Sequence, residues 1–242
     1  MMTEIALVAD LHGNWPATVA VDRDIRARGI RRVWCLGDVV GKGPSSDRTF
    51  DWAAEKCEFI LQGNWDEGVG RKQFPNDQFY YDQLGEQRLA ALTQWPFEYE
   101  CYLSGRKTRL FHGRSTMPAP YGVHENAELL ALYFLPDYDV VGYGDCHRQG
   151  VRLLNTSGIL FNTGSVGNGL GVPMAQYVIL RCEPDSRTLA PLDIVTVTVP
   201  YDREQAVRDT REAGKRGMPN ADLFEREILT GVYARANGRE KP

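Results

Sequence analysis

The 242-residue sequence has no apolar run that approaches the length needed to span a membrane. It also has no block of basic residues. Its 28 Lys and Arg are outnumbered by 32 Asp and Glu, which gives a formal net charge of −4 with neutral histidines. These absences argue against a membrane partner and against an extended surface for nucleic acid. The chain enters an apolar strand at once, so we expect neither a signal peptide nor a transmembrane helix. A small anionic substrate, bound locally, remains compatible with this charge balance.

Cysteine is scarce and unpatterned. The chain has five cysteines, an odd number, at positions 35, 57, 101, 146 and 182, with no C-x-x-C spacing. This pattern is typical of reduced thiols in a cytoplasmic protein rather than of a disulfide framework or a zinc finger. We therefore expect a cytoplasmic protein in which Cys146 packs in the interior; the oligomeric state stays open.

Histidine is scarcer still, with four in the whole chain. Three of them, His12, His112 and His147, stand just beyond predicted strands and near glycines, whereas His124 lies in a predicted loop. A single histidine in such a place is more often a core or surface residue. Three together favour a metal site, because neutral imidazole is a common metal ligand.

The first of these motifs ends a predicted buried strand at residues 5–9 and has the sequence D-L-H-G-N at 10–14. A buried carboxylate two residues from a histidine is costly unless something positive satisfies both groups. A divalent metal ion does so, since carboxylate and imidazole suit borderline cations. The motif alone leaves open a simpler interpretation, in which Asp10 caps a turn and His12 lies at the surface.

Polar residues recur at the ends of later strands. The predicted strand at 33–36 leads into Gly37 and Asp38, and the one at 58–61 leads into Gly63 and Asn64. Helices at 15–28 and 47–56 alternate with these strands, which predicts an α/β domain whose site lies beyond the carboxyl ends of its strands. Further strands at 107–111 and 138–141 would deliver the later histidines to the same edge.

Taken in order, D-L-H-G-N (10–14), G-D (37–38), G-N (63–64), H-G (112–113) and His147 before G-S-V-G resemble the calcineurin-like metallophosphoesterases. The small bacterial and archaeal phosphodiesterase branch is the most similar. The resemblance implies one metallophosphoesterase domain over 1–242, folded as a four-layer α/β/β/α sandwich of two mixed β-sheets. It also implies a dinuclear metal site at the strand ends, where a metal-activated hydroxide attacks a small phosphorylated substrate such as a nucleotide.

The resemblance further implies which residues bind the two divalent or trivalent ions. Asp10, His12 and His147 would hold one ion, Asn64 and His112 the other, with Asp38 bridging. We expect manganese or iron, with magnesium, zinc or nickel as further candidates. Asp38 and Asn64 would thereby take part in catalysis.

Two positions depart from the family pattern. Trp65 stands where G-N-H-[D/E] has a histidine, and Asp145 stands where G-H-x-H has its first histidine. Indole cannot transfer a proton near neutral pH, so substrates whose leaving groups depart as stable anions are favoured. The G-N-W variant is similar to a branch that cleaves dinucleoside polyphosphates. Asp66 is a candidate replacement acid; its alternative role is that of a helix N-terminal carboxylate.

Asp145 can bind metal through oxygen, which favours Mn²⁺ or Mg²⁺. Alternatively, its short side chain turns away and the second site is weak or empty.

Two segments, 68–83 and 114–125, could form lips over the site. The first contains Arg71, Lys72 and several aromatic residues, which could bind phosphates and stack on a base. The second contains Arg114, which, with Trp65, is a candidate substrate contact. A packed aromatic patch and a surface arginine are equally compatible with the sequence.

The preferred interpretation is a metal-dependent phosphohydrolase that cleaves a phosphodiester or phosphoanhydride. A broad phosphomonoesterase, including one resembling protein phosphatases, is the alternative enzyme. A weakened member that binds metal or nucleotide as a scaffold is the alternative from another class, motivated by Trp65 and Asp145.

Overall fold

The computed structural model of the protein describes residues 2–113, 118–154 and 158–234. Its strands are β1 (Thr3–Val8), β2 (Arg32–Cys35), β3 (Phe59–Ile60), β4 (Glu98–Leu103), β5 (Arg106–Phe111), β6 (Val140–Tyr143), β7 (Gly150–Leu153), β8 (Ile159–Asn162), β9 (Ala175–Cys182) and β10 (Asp193–Val199). Its helices are α1 (Trp15–Ala27), α2 (Ser46–Lys56), α3 (Asn64–Gly70), α4 (Gln78–Leu92), α5 (Ala127–Ala131), α6 (Arg203–Lys215) and α7 (Ala221–Thr230).

The strands form two mixed sheets of five. The first has the order β10-β9-β1-β2-β3, with β1, β2 and β3 parallel and β9 and β10 antiparallel to their neighbours. The second has the order β4-β5-β6-β8-β7, with β5, β6 and β8 parallel and both edge strands antiparallel. Each sheet therefore contains three adjacent parallel strands whose carboxyl ends share one edge.

The second half of strand β1, residues 5–8, lies between two hydrophobic layers, as its unbroken apolar sequence predicts. Ile5 and Leu7 point between the two sheets, where they join a core shared with Leu110 of β5. Ala6 and Val8 point the other way, into the core beneath the helices of the first sheet. Because side chains alternate along a strand and both faces are buried from Ile5 onward, every position of β1 from Ile5 to Val8 is apolar.

Helices cover the outer faces of both sheets. Helices α1, α2, α6 and α7 contribute to the core on the first sheet, and α5 contributes Leu130 to the core on the second. The expected four-layer α/β/β/α sandwich is confirmed. Across the helices that the structure describes, none is both long and apolar enough to cross a membrane.

The segment 68–83 differs in secondary structure from the predicted lip loop. It contains the end of α3, a short 3₁₀ turn (Pro75–Asp77) and the beginning of α4. Within its aromatic run Tyr80 and Tyr81 are buried, because α4 packs its tyrosines into the core, which agrees with the alternative of a packed aromatic patch for these two residues. Lys72 pairs with Glu86 at 2.6 Å. A lip role for this segment stays a prediction.

Candidate metal centre

Five side chains from four strand ends meet in one buried cluster. Asp10 and His12 follow β1, Asp38 follows β2, His112 follows β5 and His147 follows β6. All five are at most 3% exposed. Since β1 and β2 belong to one sheet and β5 and β6 to the other, the cluster lies where the carboxyl edges of the two sheets meet. The expected convergence of these residues is confirmed.

The backbone at the centre is held in an unusual conformation. Asp10, His12, Asp38, Asp145 and His147 have φ angles of 55°, 47°, 53°, 70° and 56°. This left-handed region is uncommon for residues other than glycine, and strained residues of this kind cluster at functional sites. The surrounding structure therefore holds these predicted ligands in place at a local energetic cost.

Each of the three clustered histidines is oriented by a backbone carbonyl. A carbonyl oxygen can only accept, so the Nδ1 atom carries the hydrogen and the Nε2 atom of the neutral ring carries a lone pair. Metal-binding histidines are typically fixed in this way. The Nδ1 atoms donate to the carbonyl of Val40 for His12 at 3.4 Å, of Leu36 for His112 at 2.7 Å and of Asn168 for His147 at 2.8 Å.

The Nε2 atoms face one small space that carboxylate oxygens also line. The Nε2 atoms of His12 and His147 lie 3.1 Å apart. The Oδ1 atom of Asp10 lies 3.2 Å from the Nε2 atom of His147, and the Oδ2 atom of Asp38 lies 3.2 Å from that of His112. Lone pairs and anionic oxygens this close repel one another unless cations lie among them.

Two buried atoms of the cluster lack a hydrogen-bond partner within the described ranges of the chain. They are Oδ1 of Asp10 and Nε2 of His112. A buried polar atom without a partner costs about 1–3 kcal/mol. A metal ion would satisfy both, because carboxylate oxygen and imidazole nitrogen are ligands of borderline cations. The donor set therefore fits the predicted metal ions.

The ligand atoms form two overlapping groups, each within 4.8 Å. One contains Asp10, His12 and His147, and the other contains Asp10, Asp38 and His112. Asp10 is thus shared, while Asp38, the predicted bridge, also lies 3.6 Å from the Nε2 atom of His12. Both carboxylates are placed between the groups, and the assignment of Asp38 as the bridge stays a prediction.

The other two predicted ligands, Asn64 and Asp145, lie at the rim. Asn64 is exposed at the first position of α3, and Gly63 before it has no room for a side chain, because a Cβ there would lie 2.1 Å from Oδ1 of Asp38. The side chain of Asp145 is 37% exposed, with Oδ1 3.9 Å from the Nε2 atom of His112. The metal-binding roles of Asn64 and Asp145 stay predictions.

Burial and neighbouring charges set the protonation of the cluster. Burial, and then the ammonium group of Lys42, lowers the pKa of His12 to about 3, so its ring is neutral. Burial disfavours the charged form of His112, but the carboxylates of Asp38 and Asp10 outweigh it and raise the pKa of this ring. A proton and a metal ion would therefore compete for the Nε2 atom of His112.

The contacts of Asp66 fit its alternative role, that of a helix N-terminal carboxylate, and its part in catalysis stays a prediction. Its Oδ2 atom accepts from the backbone N–H groups of Asp38 at 2.7 Å and Gly63 at 3.0 Å, and its Oδ1 atom accepts from those of Val39 at 3.0 Å and Val40 at 3.2 Å. Burial raises the pKa of Asp66 to about 7, but four donated hydrogen bonds require acceptor oxygens and favour the ionised form. The geometry indicates a carboxylate that fixes the Asp38 loop, rather than a proton donor.

Trp65 forms one wall of the centre. Its ring meets that of His12 edge-on, with centroids 6.1 Å apart, and its backbone N–H donates to Oδ1 of Asp38 at 2.9 Å. Gly41 makes room for the indole, because a Cβ there would lie 2.3 Å from the ring. Trp65 thus adjoins the predicted ligands, and its contact with substrate stays a prediction.

Lys42 is a residue that sequence reasoning missed. Its side chain is buried, and its Nζ atom lies 3.3 Å from the Nε2 atom of His147 and 5.9 Å from the ring centroid of Trp65. Its backbone φ of 55° joins the left-handed residues of the centre. The only signal in the sequence was a lysine between two glycines, four positions after Asp38. A buried ammonium group beside the predicted ligands can contact an anionic substrate.

The second predicted lip, 114–125, is only partly described. Arg114 lies outside the described residues. Tyr121 is 46% exposed, and the guanidinium group of Arg148 lies 4.3 Å from its ring centroid. Ala119 lies close to Gly113, directly after His112. The described part of this segment therefore passes beside the centre.

Cys146 lies between Asp145 and His147, in surroundings that disfavour its thiolate. It is buried, and burial raises the pKa of its thiol to about 12. A thiol with so high a pKa is scarcely ionised at neutral pH. The expected interior position of Cys146 is confirmed.

Comparisons with known proteins agree with this centre. The sequence model of the calcineurin-like phosphoesterase superfamily domain matches residues 3–185. A curated, uncharacterised protein of Methanocaldococcus jannaschii is 28% identical, with 84% of this chain and 89% of that protein covered.

Solved structures extend the comparison to the fold. A metallophosphoesterase from Sphaerobacter thermophilus superposes with a TM-score of 0.73 at 23% identity, over 96% of this chain and 100% of that one. A hypothetical protein of Pyrococcus horikoshii gives a TM-score of 0.74 at 16% identity, with the same coverage. At these identities the two structures show a shared fold.

Proposed function

The chain belongs to the calcineurin-like phosphoesterase superfamily, and from that premise we propose that it hydrolyses phosphodiester or phosphoanhydride bonds of small nucleotides with the help of two metal ions. The observation that carries the proposal is the convergence of three oriented Nε2 atoms on two buried carboxylates. As a hydrolase of phosphoric esters, the protein needs positive charge for the phosphoryl oxygens and an activated nucleophile, and this donor set is suited to holding ions that supply both.

When bound, the metal ions supply Lewis acidity and an activated water nucleophile. In this proposal Asp10, His12 and His147 hold one ion, while Asp10, Asp38 and His112 hold the other. The carbonyls behind the histidines keep the rings oriented, so little rearrangement is needed on binding. Each group has three protein ligands, which leaves coordination positions for substrate and water.

Manganese or iron is the metal that we propose, with magnesium, zinc and nickel as alternatives. Asp145 would add a third carboxylate near Asp10 and Asp38, and Asn64 would add an amide oxygen. An oxygen-rich set of this kind favours Mn²⁺ over softer ions.

The neighbourhood of Trp65 supports a preference for good leaving groups. Its indole N–H can donate a hydrogen bond but cannot release a proton near neutral pH. Lys42 adjoins Trp65 and offers a positive charge to phosphate oxygens. Such a pair stabilises a leaving group that departs as an anion, for example the nucleotide phosphate of a dinucleoside polyphosphate.

The test is a substrate panel with the purified protein and Mn²⁺: bis-p-nitrophenyl phosphate, p-nitrophenyl phosphate and a dinucleoside tetraphosphate. We expect turnover of the diester and the tetraphosphate, slow turnover of the monoester, and rates that fall steeply as the leaving-group pKa rises in an aryl series. Preferred hydrolysis of the monoester would indicate a phosphomonoesterase instead. If none of the three substrates were hydrolysed although metal was bound, the protein would be a metal-binding or nucleotide-binding scaffold.

We also propose that the protein acts in the cytoplasm. In support of this location, none of its five cysteines forms a disulfide, which suits a reducing compartment. Fractionation of source cells with an antibody would test this location.

A further inference from the structure

Glu227 is a buried carboxylate on helix α7, beyond the residues 3–185 that match the family model. It is 1% exposed. Burying a carboxylate is costly, and apolar replacements of buried ionic groups are often neutral or stabilising. A buried glutamate in a helix that otherwise packs apolar residues, such as Phe224 and Ile228, therefore calls for a specific reason.

The contacts of Glu227 point toward the metal centre. Its Oε2 atom accepts from the Nδ2 atom of Asn168 at 2.7 Å, and its Oε1 atom accepts from the backbone N–H of Ala234 at 2.9 Å. Asn168 is itself 2% exposed. The carboxylate thus anchors the side chain of a second buried polar residue.

Asn168 in turn holds the predicted ligands. Its carbonyl oxygen accepts from Nδ1 of His147 at 2.8 Å. Its backbone N–H donates to Oγ of Ser165 at 2.8 Å, and that hydroxyl donates to the carbonyl of Asp10 at 2.8 Å. One residue therefore connects Glu227 with both His147 and Asp10.

Helix α7 also contacts the other side of the centre. The ring of Phe224 lies 2.9 Å from the place where a Cβ on Gly43 would be, and the carbonyl of His12 lies 2.2 Å from that place. Gly43 follows Lys42 directly. The helix thus supports two of the loops from which the centre is built.

We propose that Glu227 is a positioning residue for the metal centre. By anchoring the side chain of Asn168, it fixes the carbonyl that orients the imidazole of His147, so that Nε2 faces the metal ion. The proposal rests on the metal-binding part of the proposed function. It makes helix α7, which lies outside the part of the chain that matches the family model, a supporting element of the centre.

The test measures Mn²⁺ affinity by calorimetry in Glu227→Leu, Glu227→Gln and the control Glu225→Gln, well below the unfolding temperature of each. Loss of a group that orients a metal ligand typically weakens metal binding by about 10–100-fold. We expect Glu227→Leu to bind Mn²⁺ at least about 10-fold more weakly. Glu227→Gln should recover most of the affinity, because its amide oxygen can still accept from Asn168. Glu225→Gln, at a partly buried position of α7 whose carboxylate pairs with Arg211 and not with Asn168, should match the wild type.

If Glu227→Leu fails to fold, Asn168→Ala provides the same test, because it removes the donor of the same hydrogen bond. It should weaken Mn²⁺ binding to a similar degree. Where both variants fold, the double variant should bind no more weakly than the weaker single one, since both changes remove one interaction.

His147→Ala separates this inference from the proposed function. If His147→Ala binds Mn²⁺ as tightly as the wild type does, the assignment of the metal centre to these residues is wrong. If His147→Ala loses affinity while folded Glu227→Leu or Asn168→Ala binds normally, the centre stands and the positioning role of Glu227 is overturned. A lower unfolding temperature with unchanged affinity would likewise reduce Glu227 to a structural residue.

Discussion

The Nε2 atoms of His12 and His147 lie 3.1 Å apart, although 135 positions separate the two residues in the chain. Both rings are turned so that Nδ1 donates to a backbone carbonyl. Two lone pairs therefore face each other across a gap with Oδ1 of Asp10 beside it. This arrangement is unfavourable in isolation and favourable around a cation, so metal binding should stabilise the fold.

The first prediction concerns thermal unfolding. At a Mn²⁺ concentration of 100 times Kd, binding to the native state adds about 2.7 kcal/mol. For a chain of this size that corresponds to a rise in Tm of about 5–10 °C. Differential scanning calorimetry with EDTA and with added Mn²⁺ measures the shift. In His112→Ala the rise should be smaller; an identical rise would mean that the stabilising ion binds elsewhere.

The second prediction concerns the missing acid. Trp65→His restores a group that can donate a proton, and general acids contribute about 10²–10⁴-fold. We expect an increase of at least about tenfold in kcat for aryl phosphates with poor leaving groups, and little change for nitrophenyl leaving groups. Trp65→Phe serves as the control for loss of the indole. If Trp65→His and Trp65→Phe changed the rates of the aryl series equally, the gain could not come from proton donation by the new histidine.

The third prediction concerns Lys42. Lys42→Met removes a buried positive charge, so kcat/KM for phosphodiesters should fall by about 100-fold, as for other groups that stabilise transition-state charge. Mn²⁺ affinity should hold or increase, because a cation 3.3 Å from Nε2 of His147 is gone. Lys42→Arg should retain part of the rate. The surface variant Lys215→Met, on helix α6, should behave as the wild type. A similar loss in that variant would show that the effect of Lys42→Met is not specific to the centre.

The fourth prediction separates two roles for Asp66. Asp66→Asn replaces one acceptor oxygen with an NH₂ group that faces backbone N–H donors whichever way the amide turns. We expect a loss of about 1–3 kcal/mol in the free energy of unfolding, measured with urea. A proton donor would show the reverse result: unchanged stability with a greatly reduced rate. Glu67→Gln, on the same helical turn, is the matched control.

Much of the centre follows from the sequence because it depends on local pattern. The apolar run of β1, followed by Asp10, His12 and a glycine, predicts a buried strand with ligands at its carboxyl end, and the structure confirms that placement. The same pattern places Asp38 after β2 and His112 after β5. Parallel pairing then brings the ends of β1 and β2 together, whereas the approach of His112 also depends on how the two sheets pack.

Other features depend on contacts between distant parts of the chain. Helix α3 begins at Asn64, in a stretch whose glycine and asparagine favour a turn, because Asp66 bonds to the Asp38 loop and Val69 packs in the core. Lys42 lies in a glycine-rich loop, and its contact with His147 spans 105 positions. No local periodicity encodes such pairings, so these roles required the fold.

The account is tested most directly by diffraction from crystals grown with Mn²⁺, with data collected for the manganese anomalous signal. It predicts two anomalous peaks per chain, one among Asp10, His12 and His147 and the other among Asp10, Asp38 and His112. Anomalous peaks that lie away from the Nε2 atoms of all three histidines would contradict the account. The absence of any anomalous peak, in crystals that contain manganese by elemental analysis, would contradict it as well.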